Sequence, residues 1–332
     1  MSNAATAPIV TIFGGSGFVG RYIARRMAKR GWRVRVAVRR PNEANFVRPY
    51  GNVGQVEPIQ ANIRDEASTA RAIEGASAVI NCVGILYEDS RQRFDGVQTE
   101  GAGRIARLAA AAGVERFVHI SAIGADADSA ADYARTKAMG EAAVLEAMPG
   151  AAILRPSIIF GPEDQFFNRF AGMAKIAPVL PMVGADTKFQ PVYVDDVAEA
   201  ACVAAETGAS GVYELGGPET RTFRELMEMM LVEIRRRRLL APLPFALAKV
   251  MAFTLDIAGA VGSIFGVPNS VLTRDQVRLL ETDNVVSEGA KTLSDLGVEP
   301  TALGSVIGEY LYAYRPYGQY DAITESAGKL KA

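Results

Sequence analysis

Short apolar runs alternate with amphipathic stretches through the first half of the chain. The run from Ile9 to Phe13 is unbroken and rich in β-branched residues, which is typical of a strand buried on both faces. Arg21 to Arg30 then carries apolar residues at four-residue spacing with Gly31 at its end, which predicts a helix, and Val34 to Val38 predicts a second strand. Repetition of this order predicts right-handed βαβ units in a parallel sheet that is covered on both faces.

The same alternation continues to residue 155 and then becomes irregular. Further strands are predicted at Val56 to Ile59, Ala78 to Gly84, Arg116 to Ser121 and Ala152 to Arg155. Further helices are predicted at Ser68 to Ile73, Thr99 to Ala112, about Ala130 to Met148 and Phe166 to Ala174. Ser129 is placed to cap the helix that starts near Ala130. Thr222 and Glu225 form a capping box for a later helix, Phe223 to Ile234.

This order of elements predicts an α/β fold, a Rossmann-type doubly wound parallel sheet with a smaller, mostly helical C-terminal lobe. We expect residues 1–160 to form the dinucleotide-binding domain and residues 189–234 to return to it. Residues 161–188 and 235–320 are expected to form the lobe, and residues 321–332 a tail.

Glycine recurs every third residue at the first strand-to-helix turn, at Gly14, Gly17 and Gly20. Without Cβ atoms the backbone can approach a pyrophosphate, and the exposed amides of the following helix form an anion site together with the helix dipole. Between a strand and a helix this spacing predicts a dinucleotide site. The alternative is a tight turn that binds no ligand.

The end of the second strand indicates which dinucleotide is bound. Arg39 and Arg40 stand there, and the first acidic residue after them is Glu43. A carboxylate at this place would bond the ribose of NAD, whereas arginine accommodates the 2′-phosphate of NADP. The sequence therefore favours NADP(H), and the alternative is a solvated pair of arginines at a strand end.

Composition limits the classes of function. The formal net charge of −1 gives no overall attraction for nucleic acid, which is not predicted as a partner. Cys82 and Cys202 are the only cysteines and lie in apolar runs, which indicates a reducing compartment without disulfides. His119 is the only histidine, which argues against a histidine-based metal site or a Ser/His/Asp triad. Residues 1–8 show no signal sequence, so a cytoplasmic location is expected.

Tyr133 and Lys137 are four residues apart and therefore share one face of the predicted helix that follows the fifth strand. An ammonium one turn away from a phenol favours the phenolate, and it can also hold a nicotinamide ribose. The position beside a nucleotide-binding sheet favours a role that faces the cofactor. The alternative is a solvated tyrosine and lysine.

Several motifs together resemble a known family. The run from Gly14 to Gly20, the Tyr133 and Lys137 pair, and the segment 155–162 look like the extended and atypical short-chain dehydrogenase/reductases. Three more segments are similar to the nucleotide-binding accessory subunits of respiratory complex I, the NADH:ubiquinone oxidoreductase; these are residues 159–168, 190–197 and 273–277. The resemblance implies a Rossmann domain that holds NADP(H) and a lobe that docks on other subunits of the complex, outside the electron route.

The resemblance also implies a contact for each part of the cofactor. The residues that match the pyrophosphate loop are Gly14, Ser16, Gly17, Phe18 and Val19, and those that match the 2′-phosphate site are Arg39 and Arg40. Asn62 and Ile63 match the residues that contact adenine, and Val83 and Gly84 match those beside the adenine ribose. Tyr133 and Lys137 match the residues that contact the nicotinamide ribose, and Pro156 and Ser157 match those beside the nicotinamide.

One position departs from the family pattern. Active members have serine or threonine directly after the residue matched by Ser121, and this chain has Ala122, whose methyl group donates no hydrogen bond to a substrate carbonyl. Ser121 stays in the predicted cofactor site, and no residue is assigned a catalytic role. The sequence thus favours a cofactor that is held without turnover. The alternatives are a free-standing NADP-dependent reductase or epimerase, with Tyr133 as its acid/base and Lys137 assisting, and an NADP(H)-sensing module.

Four arginines, Arg235 to Arg238, precede the most apolar stretch, Leu239 to Val267. Charged residues, prolines and glycines interrupt this stretch before it reaches the ~20 residues that a transmembrane helix needs, so none is predicted. As a helix it would be apolar on nearly all sides, which is typical of a buried lobe helix or of a surface that docks beside a membrane. The second interpretation predicts peripheral membrane contact through residues 235–267, at the cytoplasmic face of the inner (plasma) membrane.

Overall fold

The computed structural model describes residues 7–88, 92–253 and 273–320. The strands are β1 (Ile9–Phe13), β2 (Arg33–Val38), β3 (Val56–Gln60), β4 (Ala78–Asn81), β5 (Arg116–Ile120), β6 (Ala152–Pro156), β7 (Ile159–Phe160), β8 (Val179–Val183), β9 (Lys188–Phe189), β10 (Val192–Tyr193), β11 (Gly211–Leu215), β12 (Arg221–Thr222) and β13 (Leu239–Leu243). The α-helices are α1 (Phe18–Lys29), α2 (Glu66–Ile73), α3 (Glu100–Ala111), α4 (Asp132–Ala147), α5 (Phe167–Ile176), α6 (Val194–Thr207), α7 (Phe223–Glu233), α8 (residues 245–253), α9 (Arg274–Leu279) and α10 (Leu303–Leu311).

Seven parallel strands form the main sheet in the order β3-β2-β1-β4-β5-β6-β11, so the predicted Rossmann-type sheet is confirmed. The strand order reverses at β1, where Val10 pairs with Val34 of β2 on one side and with Ala78 of β4 on the other. At such a switch point the connections leave the sheet in opposite directions and open a crevice at the carboxyl ends of the strands. The turn into α1 begins at this crevice.

Helices cover both faces of the sheet. On one face, Val10 of β1 lies in the same core cluster as Ile23 of α1 and buried alanines of α6. On the other face, Phe13 of β1 shares a cluster with Ile105 of α3 and Val144 of α4. Side chains of β1 therefore enter opposite cores, as expected for a strand buried on both sides.

The C-terminal lobe has a core of its own, which is lined by α5, α7 and α10. Phe223 belongs to this core, and the partly buried Phe166 packs against it with the two ring centroids 5.7 Å apart. Tyr310 of α10 donates its hydroxyl hydrogen to Asp164 at 2.6 Å, which ties the last helix to the segment that follows β7. Aromatic rings thus give the lobe an apolar interior separate from the two cores of the sheet.

Helix starts agree with the sequence where the cap is local, with one exception. α7 has the predicted capping box, because the N–H of Glu225 donates to Oγ1 of Thr222 and the N–H of Thr222 donates to Oε2 of Glu225. α4, however, begins at Asp132 with Ala131 as its N-cap, so the predicted cap by Ser129 is wrong. Ser129 Oγ instead accepts the N–H two residues on and closes a local turn before the helix.

The apolar stretch after the four arginines is not one continuous helix. Residues 239–243 form β13, which pairs in parallel with β8, and residues 245–253 form α8. Residues 254–267 of the stretch, like the predicted tail at 321–332, lie outside the described residues. Among the helices that the structure does describe, none combines the length and the apolar character needed to cross a bilayer.

Candidate functional site

The turn between β1 and α1 brings three glycines together at the carboxyl edge of the sheet. Gly14 has a left-handed backbone with φ of +72°, and its carbonyl accepts the N–H of Gly17 at 2.9 Å. A Cβ atom on Gly20 would lie 2.4 Å from the carbonyl oxygen of Gly14, so this approach of helix and turn requires glycine. The first turn of α1 has neither a side-chain cap nor an acidic residue. Its N–H groups are therefore available to an external anion.

The other residues of the predicted pyrophosphate loop link the turn to its surroundings. Ser16 is half-buried, and Val19 packs against the core cluster beneath α1. The ring of Phe18 lies close to Gly161, where a Cβ atom would be 3.5 Å from it. Glu163, two residues further on, accepts the hydroxyl hydrogen of Tyr22 of α1 at 2.8 Å. The segment that enters the lobe is thus anchored at the start of α1.

Arg39 and Arg40 follow β2 next to the glycine turn, since the N–H of Gly14 donates to the carbonyl at position 37 of β2 at 3.1 Å. Arg39 Nη1 donates to Oε1 of Gln92 at 3.0 Å, and Arg40 Nη1 donates to Oε1 of Glu43 at 3.0 Å. Both arginines are exposed, and an exposed ion pair such as that of Arg40 contributes little stability. Either guanidinium can exchange its present partner for a phosphate, and Arg39 does so without giving up an ion pair.

The end of β4 lies between the glycine turn and α4. Val83 Cγ2 approaches the turn to within 3.3 Å of where a Cβ atom on Gly14 would be. A Cβ atom on Gly84 would lie 3.3 Å from Nζ of Lys137. The structure therefore brings four predicted site residues from three separate stretches of sequence into one cleft.

Lys137 and Ser121 are buried polar groups with bonding capacity left over. Lys137 is 5% exposed, and its Nζ donates to the carbonyl of Ile120 at 3.2 Å. Burial lowers the pKa of Lys137 to about 8, and the carboxylate of Glu141 one turn further along α4 opposes that shift. Ser121 Oγ has no hydrogen-bond partner within the described part of the chain. Because buried polar groups are normally bonded, these two mark a place for a polar ligand such as a ribose.

Tyr133 stands in the first turn of α4, with its ring centroid 6.0 Å from Nζ of Lys137. Asp275 accepts the N–H of Asp132 at 2.6 Å and that of Tyr133 at 3.0 Å, one with each carboxylate oxygen. Burial, and then the charge of Asp275, raise the pKa of Tyr133 to about 12. At neutral pH the phenol is therefore protonated, and it can donate a hydrogen bond but is a poor base.

The remaining predicted positions use their polar atoms within the protein. Asn62 Oδ1 accepts a backbone N–H two residues on at 3.1 Å, and the carbonyl of Ile63 accepts an arginine of α3 at 2.6 Å. The carbonyl of Pro156, at the end of β6, accepts a backbone N–H at 3.0 Å. Ser157 Oγ donates toward Asn284, whose Oδ1 lies 2.7 Å away. The hydroxyl of Ser157 is therefore committed to the C-terminal segment, and a nicotinamide beside it would meet a fixed side chain.

Two residues that position the site were not predicted as part of it. Asp275 caps α4 from 142 residues along the chain, and Asn284 holds Ser157 from 127 residues away. The only sequence signal for Asp275 is its place in the segment 273–277 that carries the family resemblance, and Asn284 has none. Contacts over such distances follow from the fold and not from local pattern.

His119 is a buried residue of β5 and pairs with Asn81 of β4 in the sheet. Its Nδ1 lies 3.1 Å from Nδ2 of Asn81, whose Oδ1 is occupied by the N–H of Val83. Burial lowers the pKa of His119 to about 3, so the imidazole stays neutral. No group of three His, Cys, Asp or Glu residues suited to a metal ion occurs in residues 7–88, 92–253 and 273–320.

The residues of the cleft fit a dinucleotide. The glycine turn and the open start of α1 match a pyrophosphate, and the unbonded Ser121 hydroxyl with the spare donors of Lys137 match a sugar. Together with the parallel sheet, they define a Rossmann-type nucleotide-binding protein of the short-chain dehydrogenase kind. A sequence profile of the NAD dependent epimerase/dehydratase family matches residues 10–216, and the chain belongs to this family.

Relatives over nearly the whole chain narrow the comparison and confirm the predicted resemblance. The chain is 36% identical over 318 residues to NADH dehydrogenase (ubiquinone) 1 alpha subcomplex subunit 9, mitochondrial, of Arabidopsis thaliana, with 93% of this chain and 79% of that protein covered. It is 33% identical over 313 residues to the NADH-ubiquinone oxidoreductase 40 kDa subunit, mitochondrial, of Neurospora crassa, with 94% and 80% covered. The NADPH-dependent quinone oxidoreductase QOR2 of Escherichia coli, solved with NADPH, shares the fold at a TM-score of 0.66 and 21% identity, over 91% of this chain and 98% of that one.

Proposed function

We propose that the chain is an accessory subunit of respiratory complex I that holds NADP(H) as a structural cofactor. It supports assembly or stability near the quinone-reducing region and stays outside the electron route. Its proposed partners are other subunits of the complex, and its proposed location is the cytoplasmic face of the inner membrane. The relatives named as subunits of NADH–ubiquinone oxidoreductase support this, because the match extends over 93–94% of the chain and includes the C-terminal lobe.

The division of labour that we propose follows the predicted domains, except that α7, within residues 189–234, packs in the core of the lobe. Residues 1–160 and 189–234 hold the nucleotide, and residues 161–188 and 235–320 dock on the partners. The intact glycine turn and the buried Lys137 support the first role. An outward-facing apolar surface, described below, supports the second.

The methyl side chain of Ala122 carries the view that the cofactor is held without turnover. NADPH supplies a hydride to a substrate in reductases of this fold, and the protein must then protonate and polarise the substrate carbonyl. Burial and the carboxylate of Asp275 raise the pKa of Tyr133 to about 12, so its phenol can donate a proton to a reduced carbonyl oxygen but is a weaker acid than an unperturbed tyrosine. Ala122 lacks the hydroxyl that would polarise a carbonyl, and removal of one such donor typically costs about 10²–10³ in rate. The groups that hold a cofactor are present, and those that would use it are weak.

The proposed preference for NADP(H) depends on Arg39. In Arg39→Asp, a charge-assisted bond to the 2′-phosphate is replaced by repulsion, so we expect NADPH affinity to fall about 100-fold and NADH affinity to change less than about threefold. Calorimetric titration of both nucleotides measures this. The control is Arg48→Asp, another exposed arginine after β2, whose Nε donates to Asn45 at 3.0 Å. Equal weakening of NADPH and NADH by Arg39→Asp would remove the NADP assignment.

The docking surface that we propose lies on α8 and the arginine run before β13. α8 buries the small residues Ala248 and Ala252 and leaves larger apolar side chains outside, Leu247 at 49% exposure and Val250 at 62%. This is the reverse of an ordinary surface helix, whose large apolar residues face the core. A groove of about 400 Å³ between α7 and β13 is lined by four apolar residues, two arginines and one glutamate: Leu231, Val232, Leu239, Leu240, Arg237, Arg238 and Glu228. Apolar side chains flanked by arginines suit an anionic bilayer surface.

Vesicle sedimentation tests the membrane contact. The wild type is expected to bind vesicles that contain phosphatidylglycerol, and the double variant Leu247→Glu with Val250→Glu is expected to lose most of this binding. Neither the wild type nor the variant should bind vesicles of phosphatidylcholine alone. The control is Val53→Glu, since Val53 is a fully exposed apolar residue of the sheet domain, away from α8. Binding that does not depend on these two residues would reject the surface on α8.

Solubilisation of native membranes with a mild detergent tests the function itself. The proposal requires the chain to migrate with the respiratory complex on a native gel and to carry NADP(H) when the complex is isolated. Deletion of the chain should reduce the amount of assembled complex. A purely soluble pool that migrates alone would overturn the proposal in favour of a free-standing reductase or epimerase.

A further inference from the structure

The start of α4 is capped by a distant part of the chain. Its N-cap residue, Ala131, offers no polar side chain, and the helix has no side-chain cap of its own. The N–H of Asp132 donates to Oδ1 of Asp275 at 2.6 Å, and the N–H of Tyr133 donates to Oδ2 at 3.0 Å. One carboxylate therefore satisfies two of the N–H groups that the start of a helix leaves unpaired.

The helix that carries this carboxylate, α9, is firmly fixed in the C-terminal lobe. Thr273 and Gln276 close a capping box at its start. Val277 is fully buried in a small apolar cluster with residues of β8 and α8. Arg278 Nη1 donates to the carbonyl two residues before α4 at 2.8 Å. In α9, the carboxylate of Asp275 therefore contacts the amides of α4, and the guanidinium of Arg278 contacts a carbonyl just before them. α9 also packs against α8.

The same first turn of α4 carries the group that faces the sugar end of the cleft. Tyr133 is the second residue of α4, and Lys137 follows one turn later. Loss of an N-cap frays the first turn of a helix and leaves later turns in place. Among the described residues, no hydrogen bond joins the glycine turn of α1, at the phosphate end, to this cap. A change in the cap should therefore act on the nicotinamide end of a bound nucleotide and spare the adenosine end.

We infer that Asp275 is a positioning residue through which the C-terminal lobe holds Tyr133 in place for the nicotinamide ribose. Nucleotide binding and the seating of α9 then stabilise each other, because thermodynamic coupling between two sites is reciprocal. The inference rests on the proposed function for the presence of NADP(H) and for the docking of the lobe on partners. Anything that steadies α8 and α9, such as a docked partner, is expected to tighten nucleotide binding.

The affinities for two nucleotides, NADPH and 2′,5′-ADP, distinguish this positioning role from a general loss of stability. Asp275→Ala is expected to weaken NADPH about tenfold, within the usual range of coupling between sites, and to leave 2′,5′-ADP, which lacks the nicotinamide ribose, within about twofold. Asp275→Asn keeps one carbonyl acceptor and should give an intermediate value. The control is Asp295→Ala, because Asp295 also caps a backbone N–H, that of Thr292 at 2.7 Å, away from α4. Equal weakening of both nucleotides by Asp275→Ala would overturn the inference.

Hydrogen exchange provides a readout that needs no nucleotide affinity. In Asp275→Ala, exchange of the amides of Asp132 and Tyr133 should become about tenfold faster than in the wild type, since each has lost its acceptor. In the wild type, NADPH should slow exchange across residues 274–279. If the wild type bound no nucleotide, the proposed function would fail. Amide exchange at the start of α4 would still test whether Asp275 caps this helix. Unchanged exchange at α4 in Asp275→Ala would overturn the inference even if NADPH bound.

Discussion

Two helices start at the same edge of the sheet and meet their positive end charge in different ways. α1 begins at the glycine turn, and its first turn has neither an acidic residue nor a side-chain cap. α4 has Asp132 in its first turn and receives both carboxylate oxygens of Asp275 on its N–H groups. The two ends carry the same partial charge, which stabilises a nearby anion by about 0.3–1 kcal/mol. α1 leaves that charge for a ligand, and α4 neutralises it within the chain.

This difference gives the cleft a phosphate end and a sugar end. The N-terminus of a helix does not by itself select a phosphate, because the N–H groups at the N-terminus of α4 are already bonded to Asp275. What distinguishes α1 is that glycines keep side chains away from its first amides, so an external anion can reach them. At α4 the groups left for a ligand are the side chains of Tyr133 and Lys137, which suit the hydroxyls of a sugar. The identity of the ligand at each end is thus set by what the chain itself places at the helix start.

Gly20→Ala is the substitution with the largest expected effect on nucleotide binding at the N-terminus of α1. Its Cβ atom would lie 2.4 Å from the carbonyl oxygen of Gly14 and 2.7 Å from Cα of Gly15, both backbone atoms that cannot move aside alone. The turn must shift, and we expect NADPH affinity to fall at least about 100-fold, equivalent to about 3 kcal/mol. Calorimetric titration measures the loss, and circular dichroism verifies that the variant is folded.

Gly150→Ala is the matched control for this change. Gly150 lies in the turn between α4 and β6, where a Cβ atom would meet nothing within 4 Å. Its affinity for NADPH should remain that of the wild type. If a folded Gly20→Ala protein bound NADPH within threefold of the wild type, the glycine turn would not be the phosphate site.

Lys137→Met tests the sugar end of the cleft, where the ammonium group of Lys137 is buried in the nucleotide-free protein. Burial lowers the pKa of Lys137 from 10.5 to about 8, which corresponds to about 3 kcal/mol of lost stability while the lysine is charged in both states. Lys137→Met removes that loss and also the bond to Ile120, so at pH 7 we expect the free energy of unfolding of the nucleotide-free protein to rise by about 2 kcal/mol. NADPH affinity should fall in the same variant. Urea unfolding and calorimetry measure the two effects.

The pH dependence identifies the cause of this gain. Between about pH 8 and 10.5 the unfolded chain binds more protons at this lysine than the folded chain does, so wild-type stability rises with pH across that window. The advantage of Lys137→Met should shrink over the same window and be absent above it. Lys29→Met, at an exposed lysine of α1, is the control and should change stability little at any pH. An advantage that stayed constant with pH would assign the gain to packing instead of charge.

The open helix start could be predicted from sequence because everything that makes it lies within a dozen residues. The glycines, the absence of an acid and the strand before them are all local, as is the capping box of Thr222 and Glu225. The closed helix start could not be predicted in the same way. Ser129 was the nearest residue able to cap α4, yet the cap comes from Asp275, which reaches the helix only because the lobe folds back over the sheet domain.

Strand pairing explains the other difference between sequence and structure. Residues 239–243 are as apolar as those that follow them, and periodicity does not distinguish a strand from a helix in so short a run. Their pairing with β8 provides the hydrogen bonds that select the strand, and β8 lies about 60 residues earlier in the chain. Likewise, Leu293 and Leu296 join the core beneath α6, although no local pattern marks them as part of the sheet domain.

Tyr133→Phe tests the closed end with the smallest expected effect. Because burial raises the pKa of Tyr133 to about 12, the phenol is protonated at pH 7 and the hydroxyl serves as a neutral donor. Its removal should weaken NADPH no more than about tenfold, the value of one neutral hydrogen bond, and should leave ubiquinone reduction by the assembled complex within about twofold of the wild type. Activity in membranes, normalised to the assembled complex on a native gel, is the measurement, with Tyr312→Phe at an exposed tyrosine as control. A loss of activity above tenfold with assembly unchanged would mean that Tyr133 takes part in chemistry. The capped start of α4 would then belong to a catalytic site, and the open start of α1 would bind the cofactor that this site uses.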